Sequence, residues 1–161
     1  MLIFVFTMRY AAIALVRDRS YRGYRTLAAL RVYEELIVTG AWWDFVDDVA
    51  HLVGELLQAK RAIMSAVMRE WSRDPDLWKR RVSIICQVGH KQDTDLALLY
   101  DCIEPNLGDR DFFVRKAIGW SLRDYAWTDP AEIGRYVREH AGRLSPLSRR
   151  EASKNLARLL S

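Results

Sequence analysis

Apolar residues recur along most of this chain at i, i+3, i+4 and i+7, and runs that alternate with period two are almost absent. That spacing predicts helices, and only four prolines and eight glycines interrupt it. Met8 to Arg17 reads as a first helix, extended by the apolar residues before it. A basic, tyrosine-rich junction, RDRSYRGYR, leads to a second helix from about Thr26 to Val38, which Gly40 ends as a C-terminal glycine. A third runs from about Trp42 to Gln58 and a fourth from about Ala62 to Ser72. Asp74-Pro75 offers an N-cap followed by proline at the first helical position, opening LWKRRVSIICQV. Asp93 or Thr94 starts DLALLYDCIEPNL, Asp109 to Asp111 introduce FFVRKAIGWSLRDYAW, and Asp129-Pro130 opens AEIGRYVREH. Ser148 to Glu151 reads as a capping box before a last helix, EASKNLARLL. The expectation is an all-α chain of about nine helices with short connections and no internal linker. Such helices suit either a globular bundle or an α-solenoid of stacked antiparallel pairs, and self-similarity along the sequence is too weak to choose.

Three places break the simple core pattern. In the third helix, Trp42, Phe45, Val46, Val49, Leu52, Val53 and Leu56 form a wide apolar face. Trp43, Asp47 and Gly54 lie on a different one, so an indole sits one turn before a carboxylate outside the core stripe. That pair marks either a site or a second packing surface. In LWKRRVSIICQV the buried side is Leu77, Trp78, Val82, Ile84, Ile85 and Val88, with Arg81 at its edge. An arginine so placed snorkels to solvent or aims its fork at a bound anion. In FFVRKAIGWSLRDY, Phe113, Ala117, Ile118, Leu122 and Tyr125 make the core stripe, while Lys116, Trp120 and Arg123 share another face. An indole between two cations suits a local cation–π contact or an aromatic platform beside phosphates.

Composition narrows the picture only a little. The chain has 161 residues, 29% of them charged, and a formal net charge of +4, mildly suggestive of a polyanionic partner. Arginine heavily outnumbers lysine, which favours forked recognition of phosphate. Cys86 and Cys102 stand too far apart for a zinc motif and read as buried free thiols of a reducing compartment. His51, His90 and His140 form no metal-binding spacing, and no cofactor-binding loop or nucleophile motif is present. The opening MLIFVFT lacks the flanks of a signal peptide and is too short to span a bilayer.

Taken together, LIVTGAWWDFVD, LWKRRVSIICQ, FFVRKAIGWSLRDYAWTDP and LSPLSRREASKN resemble, in the same order, segments of the AlkD-like DNA alkylation repair proteins. Those are DNA glycosylases built from HEAT-like helical repeats. The resemblance implies an α-solenoid whose basic face holds duplex DNA, and excision of cationic N3- and N7-alkylated purines without a base-flipping pocket. It makes Asp47 the catalytic carboxylate, Trp43 and Trp120 the aromatic pair flanking the lesion's sugar, and Arg81 the arginine gripping the backbone. Lys116, Arg123, Arg149 and Arg150 are expected to add to the DNA-binding surface. The implied partner is double-stranded DNA carrying alkylated purines. No cofactor or membrane is expected to take part, and the protein is expected to act as a monomer in the cytoplasm, at the nucleoid. Family members carry further helices before the segment matching Arg9 onward, so one domain over residues 1–161, lacking those helices, is expected. The rival expectation is a HEAT-like DNA-binding or scaffold protein without catalysis. Convergence of Trp43, Asp47, Arg81 and Trp120 on one surface would favour the enzyme; an Asp47 buried in a salt bridge would sink the site assignment.

Overall fold

The computed structural model describes residues 2–160, except for the side chains of residues 2–6 and 9. Most of the opening apolar run therefore lies outside the described side chains. Every regular element among the described residues is helical. The α-helices are α1 (Leu2–Arg17), α2 (Leu30–Gly40), α3 (Trp43–Ala59), α4 (Arg61–Trp71), α5 (Leu77–Ile85), α6 (Leu96–Ile103), α7 (Phe112–Tyr125), α8 (Pro130–Glu139), α9 (Pro146–Ala152) and α10 (Leu156–Leu159). Short 3₁₀ segments join several of them, including Arg19–Tyr24 in the basic junction.

Short polar side chains start these helices, because each N-terminus presents amide hydrogens without an intrahelical partner. Asp76 accepts from the N–H groups of Trp78 and Lys79, Asp111 from those of Phe113 and Val114, and Asp129 from that of Glu132. Three expected starts move by a residue or more. Asp76, rather than Asp74, caps α5; Asp95 caps α6; and Ser145, followed by Pro146, caps α9. The expected capping box therefore lies inside a helix, and the last predicted helix is two, α9 and α10, broken at Ser153 to Asn155. Gly40 is the last residue of α2, and Ala41 takes the left-handed conformation there, with φ 44°.

The helices stack as pairs. The odd-numbered helices form one row in which α1 packs on α3, α3 on α5, α5 on α7 and α7 on α9, with even-numbered partners behind them. The sequence hides this repeat, but the bonds between neighbouring pairs display it. Arg69 reaches Asp101, Arg81 reaches Asp47, Asn106 donates to the Ser72 carbonyl, Tyr100 donates to Glu132 and Ser148 donates to the Arg115 carbonyl, all across separations of 32–34 residues. The N-cap positions keep nearly the same step, 34 or 35 residues: Trp42, Asp76, Asp111 and Ser145. Stacked pairs, rather than a closed bundle, follow from contacts that stay between neighbours.

The core runs through the stack. Phe45, Val46, Val49, Leu52, Val53 and Leu56 of α3 are all buried, as their spacing predicts, and they join Val82 and Ile84 of α5 and Ile118 and Leu122 of α7. Two glycines let backbones close in. A β-carbon at Gly54 would lie 2.2 Å from the Cys86 carbonyl oxygen, and one at Gly119 would lie 2.5 Å from the Glu151 Cβ. The face bearing Trp43, Asp47 and Gly54 is therefore the one that meets α5.

Candidate functional site

Four of the predicted site residues share a register. Asp47, Arg81, Lys116 and Arg150 stand at the same place after the N-caps of α3, α5, α7 and α9, so successive pairs stack them along one strip. The first two are in direct contact. The Arg81 guanidinium donates from Nε and Nη2 to the two oxygens of Asp47, both at 2.8 Å, and from Nη1 to the Phe113 carbonyl at 2.6 Å. Its third neighbour is the indole of Trp120, whose centre lies 6.0 Å from the guanidinium carbon. Arg81, Asp47 and Trp120 thus form one cluster across α3, α5 and α7.

Arg81 does neither of the things its sequence position suggested. Its side chain is 4% exposed, so it does not snorkel, and its fork holds a carboxylate of the protein. The reason is tertiary: α3 comes so close at Gly54 that the edge of the α5 stripe becomes an interior seam. Asp47 keeps 16% of its side chain exposed, an ion pair at the rim of the seam rather than one sealed inside it. Burial pushes the Asp47 carboxyl above its ordinary value, and the Arg81 hydrogen bonds and charge, with His51 beside it, pull back only part of that rise.

Trp43 lies one turn before Asp47 and is 42% exposed, an indole held on the surface as its off-stripe position predicts. Its neighbour Trp42, expected in the core, is 45% exposed. Trp42 is the N-cap of α3, with extended backbone at φ −144° and ψ 131°, so helical periodicity does not govern where it points. The two rings lie 6.4 Å apart, centre to centre, and form a small aromatic surface at the start of α3.

Trp120 is half-buried, and its cation partner is Arg81 rather than the flanking residues on its own helix. Lys116 and Arg123 both turn to Glu151 of α9, at 3.0 and 2.6 Å. Sequence reasoning placed Glu151 in a cap and missed it as a counter-ion. It is buried where Gly119 admits α9, and the Lys116 hydrogen bond most of all, with the charges of Lys116, Lys154 and Arg123, holds its carboxyl below the ordinary value against the cost of burial. Arg149 and Arg150 are exposed and carry no ion pair among the described residues. Cys86 and Cys102 are free and buried, and burial pushes the Cys102 thiol up to about 12.

No curated protein matches the chain. A solved structure, a predicted DNA alkylation repair enzyme from Enterococcus faecalis, is similar with a TM-score of 0.77 and 28% identity, over 94% of this chain and 75% of that one. Residues 5–156 match the family described as DNA alkylation repair enzyme. On that match, which spans nearly the whole chain, and on the stacked helix pairs that carry it, the protein belongs to the DNA alkylation repair enzyme family.

Proposed function

We propose that this protein is a DNA glycosylase that hydrolyses the N-glycosidic bond of cationic N3- and N7-alkylated purines in duplex DNA, with Asp47 as the catalytic carboxylate. The observation that carries the reading is the cluster itself, a carboxylate at the rim of a seam with an exposed indole one turn before it and a second indole across its arginine. An alkylated purine leaves as a neutral base because it already carries the positive charge. Its departure places that charge on the sugar. A fixed carboxylate stabilises a cationic sugar and orients the water whose oxygen then bonds to the anomeric carbon, its spare proton passing to the carboxylate or to solvent. The faces of Trp43 and Trp120 are rich in electron density and favour the same cation. Arg81 is a positioning residue in this scheme: its fork fixes both oxygens of Asp47 and favours the ionised form against the cost of burial. A grip on backbone phosphate by Arg81 would require the fork to be shared, whereas Arg149 and Arg150 are exposed and uncommitted among the described residues.

One observation favours a second reading, a DNA-binding member of the family without catalysis. Both oxygens of Asp47 are already engaged by Arg81, as they would be in a purely structural ion pair. Release of 7-methylguanine or 3-methyladenine from methylated duplex DNA separates the two. The wild type is expected to release base, and Asp47→Asn to release it at least about a hundredfold more slowly, the effect of removing one electrostatic stabiliser. Equal release by a folded Asp47→Asn protein, or none by the wild type, would sink the catalytic assignment.

A further inference from the structure

The basic junction between α1 and α2 is not used by the chemistry above, and the fold gives it a defined form. Arg25 anchors it. Its guanidinium donates to the carbonyls of Val16, Arg17 and Asp18, which end α1, and to both oxygens of Glu55 on α3 at 2.8–2.9 Å. Arg17 is tied to Asp48 on the same helix. Between these anchors the chain runs as a 3₁₀ helix, Arg19–Tyr24, in which side chains three apart eclipse. The segment therefore sorts its residues by side. Tyr21 and Tyr24 pair at 6.2 Å and line an apolar hollow with Val16 and Tyr33, while Arg19 and Arg22 line a separate cleft of about 600 Å³.

That cleft is walled by Arg17, Arg19, Arg22 and Arg25 on one side and by His51 and Glu55 of α3 on the other. Glu55 and Asp48 occupy Arg25 and Arg17. Arg19 and Arg22 are exposed and have no ion pair among the described residues, so two guanidinium forks line the cleft with spare donors. His51 stands four residues beyond Asp47 on the same side of α3, about 6 Å along the axis, which sets the cleft beside the candidate site.

We propose that this cleft is a second, phosphate-binding site, which receives the sugar–phosphate backbone of the duplex beside the nucleotide that Asp47 faces. Paired guanidinium forks suit phosphodiester oxygens, and the volume suits a stretch of backbone rather than a single small anion. It rests on the reading of duplex DNA as the substrate and adds to it a grip on the α1 side of the row, opposite Arg149 and Arg150 at the α9 end.

The test is duplex binding by fluorescence anisotropy across a salt series, for the wild type, R19Q/R22Q, and a charge-matched control, R31Q/K60Q, which removes two exposed cations elsewhere. The slope of log K against log salt is expected to become shallower by about 1.8 in R19Q/R22Q, at about 0.9 per phosphate contact, and to stay near the wild-type value in the control. Equal slopes in the two variants would overturn the proposal. Excision measured in parallel keeps the two readings apart. Base release by the wild type with equal slopes removes the cleft alone, and a selective loss of slope without any base release removes the glycosylase reading alone.

Discussion

Removing the carboxylate of Asp47 isolates what the Arg81 pair does for the fold from what it does for chemistry. Arg81 is 4% exposed and spends two of its three charge-assisted bonds on Asp47, keeping only the Phe113 carbonyl when the carboxylate is lost. Asp47→Ala strands a cation in the seam between α3, α5 and α7, which costs about 3–5 kcal/mol. For a chain of this length each kcal/mol moves the melting point by about 2–4 °C, so a fall of roughly 6–20 °C is expected. Arg81→Met in the same background removes the stranded charge and fills the seam with an apolar side chain, and it is expected to restore most of the loss. Urea unfolding of wild type, Asp47→Ala, Arg81→Met and the double variant closes a double-mutant cycle, with a coupling of about 2 kcal/mol or more expected. A cost below about 1 kcal/mol for Asp47→Ala would refute the reasoning, because it would show the pair to be solvated and weak. The rescued double variant should stay inactive in base release even though it is folded. Activity there would show that the carboxylate serves only the fold.

Trp43→Ala tests the indole without the fold: an exposed ring is expected to cost under about 1 kcal/mol of stability and to slow base release about 2- to 30-fold, the range of one cation–π contact. Retained release would remove Trp43 from the site. Asp47 and Glu151 should give stability–pH profiles of opposite sign. The folded Asp47 carboxyl titrates above its ordinary value of 3.8, so its contribution is full below that value and is lost as pH rises through the folded one. Glu151 titrates below its ordinary value of 4.5, so its contribution is present above that value and is lost as pH falls through the folded one. Chemical denaturation of wild type against Asp47→Asn and Glu151→Gln from pH 3 to 7 checks both signs, and slopes of the same sign would contradict the assignment. Gly119→Ala places a methyl 2.5 Å from the Glu151 Cβ and 2.9 Å from the Ser148 carbonyl. It is expected to destabilise by about 1–3 kcal/mol by forcing α7 and α9 apart, and an unchanged midpoint would show that the helices yield freely.

Local pattern determined much of this protein. The 3.6-residue spacing of Phe45, Val46, Val49, Leu52, Val53 and Leu56 defined the buried face of α3, and Trp43 and Asp47 stood off it because they fall out of that period. Asp-Pro at 129–130 named a helix start correctly, since the cap and the fixed proline dihedral are both local properties. At Asp74-Pro75 the same signal named the wrong cap, because Asp74 accepts from the Asp76 N–H in a turn and Asp76 caps the helix. Trp42 escaped prediction because periodicity ends where the helix begins.

The site was legible as residue types and illegible as partners. Arg81, Lys116 and Arg123 all looked like cations available to a phosphate, yet Arg81 is spent on Asp47, and Lys116 and Arg123 on Glu151, a residue one or more helices away in sequence. Those pairings depend on how closely neighbouring helix pairs stack. Two glycines and a step of about 34 residues, which no run of the sequence repeats visibly, set that distance. The same holds for the junction RDRSYRGYR. Its charge was plain in the sequence, but only the fold decided that Arg25 and Arg17 would serve as anchors and that Arg19 and Arg22 would be left facing a cleft. Sequence fixes which groups a helix carries and on which face, because that is a matter of 3.6 residues per turn. Which of those groups neutralise one another is a matter of distances between helices, and these are set only once the whole stack has closed.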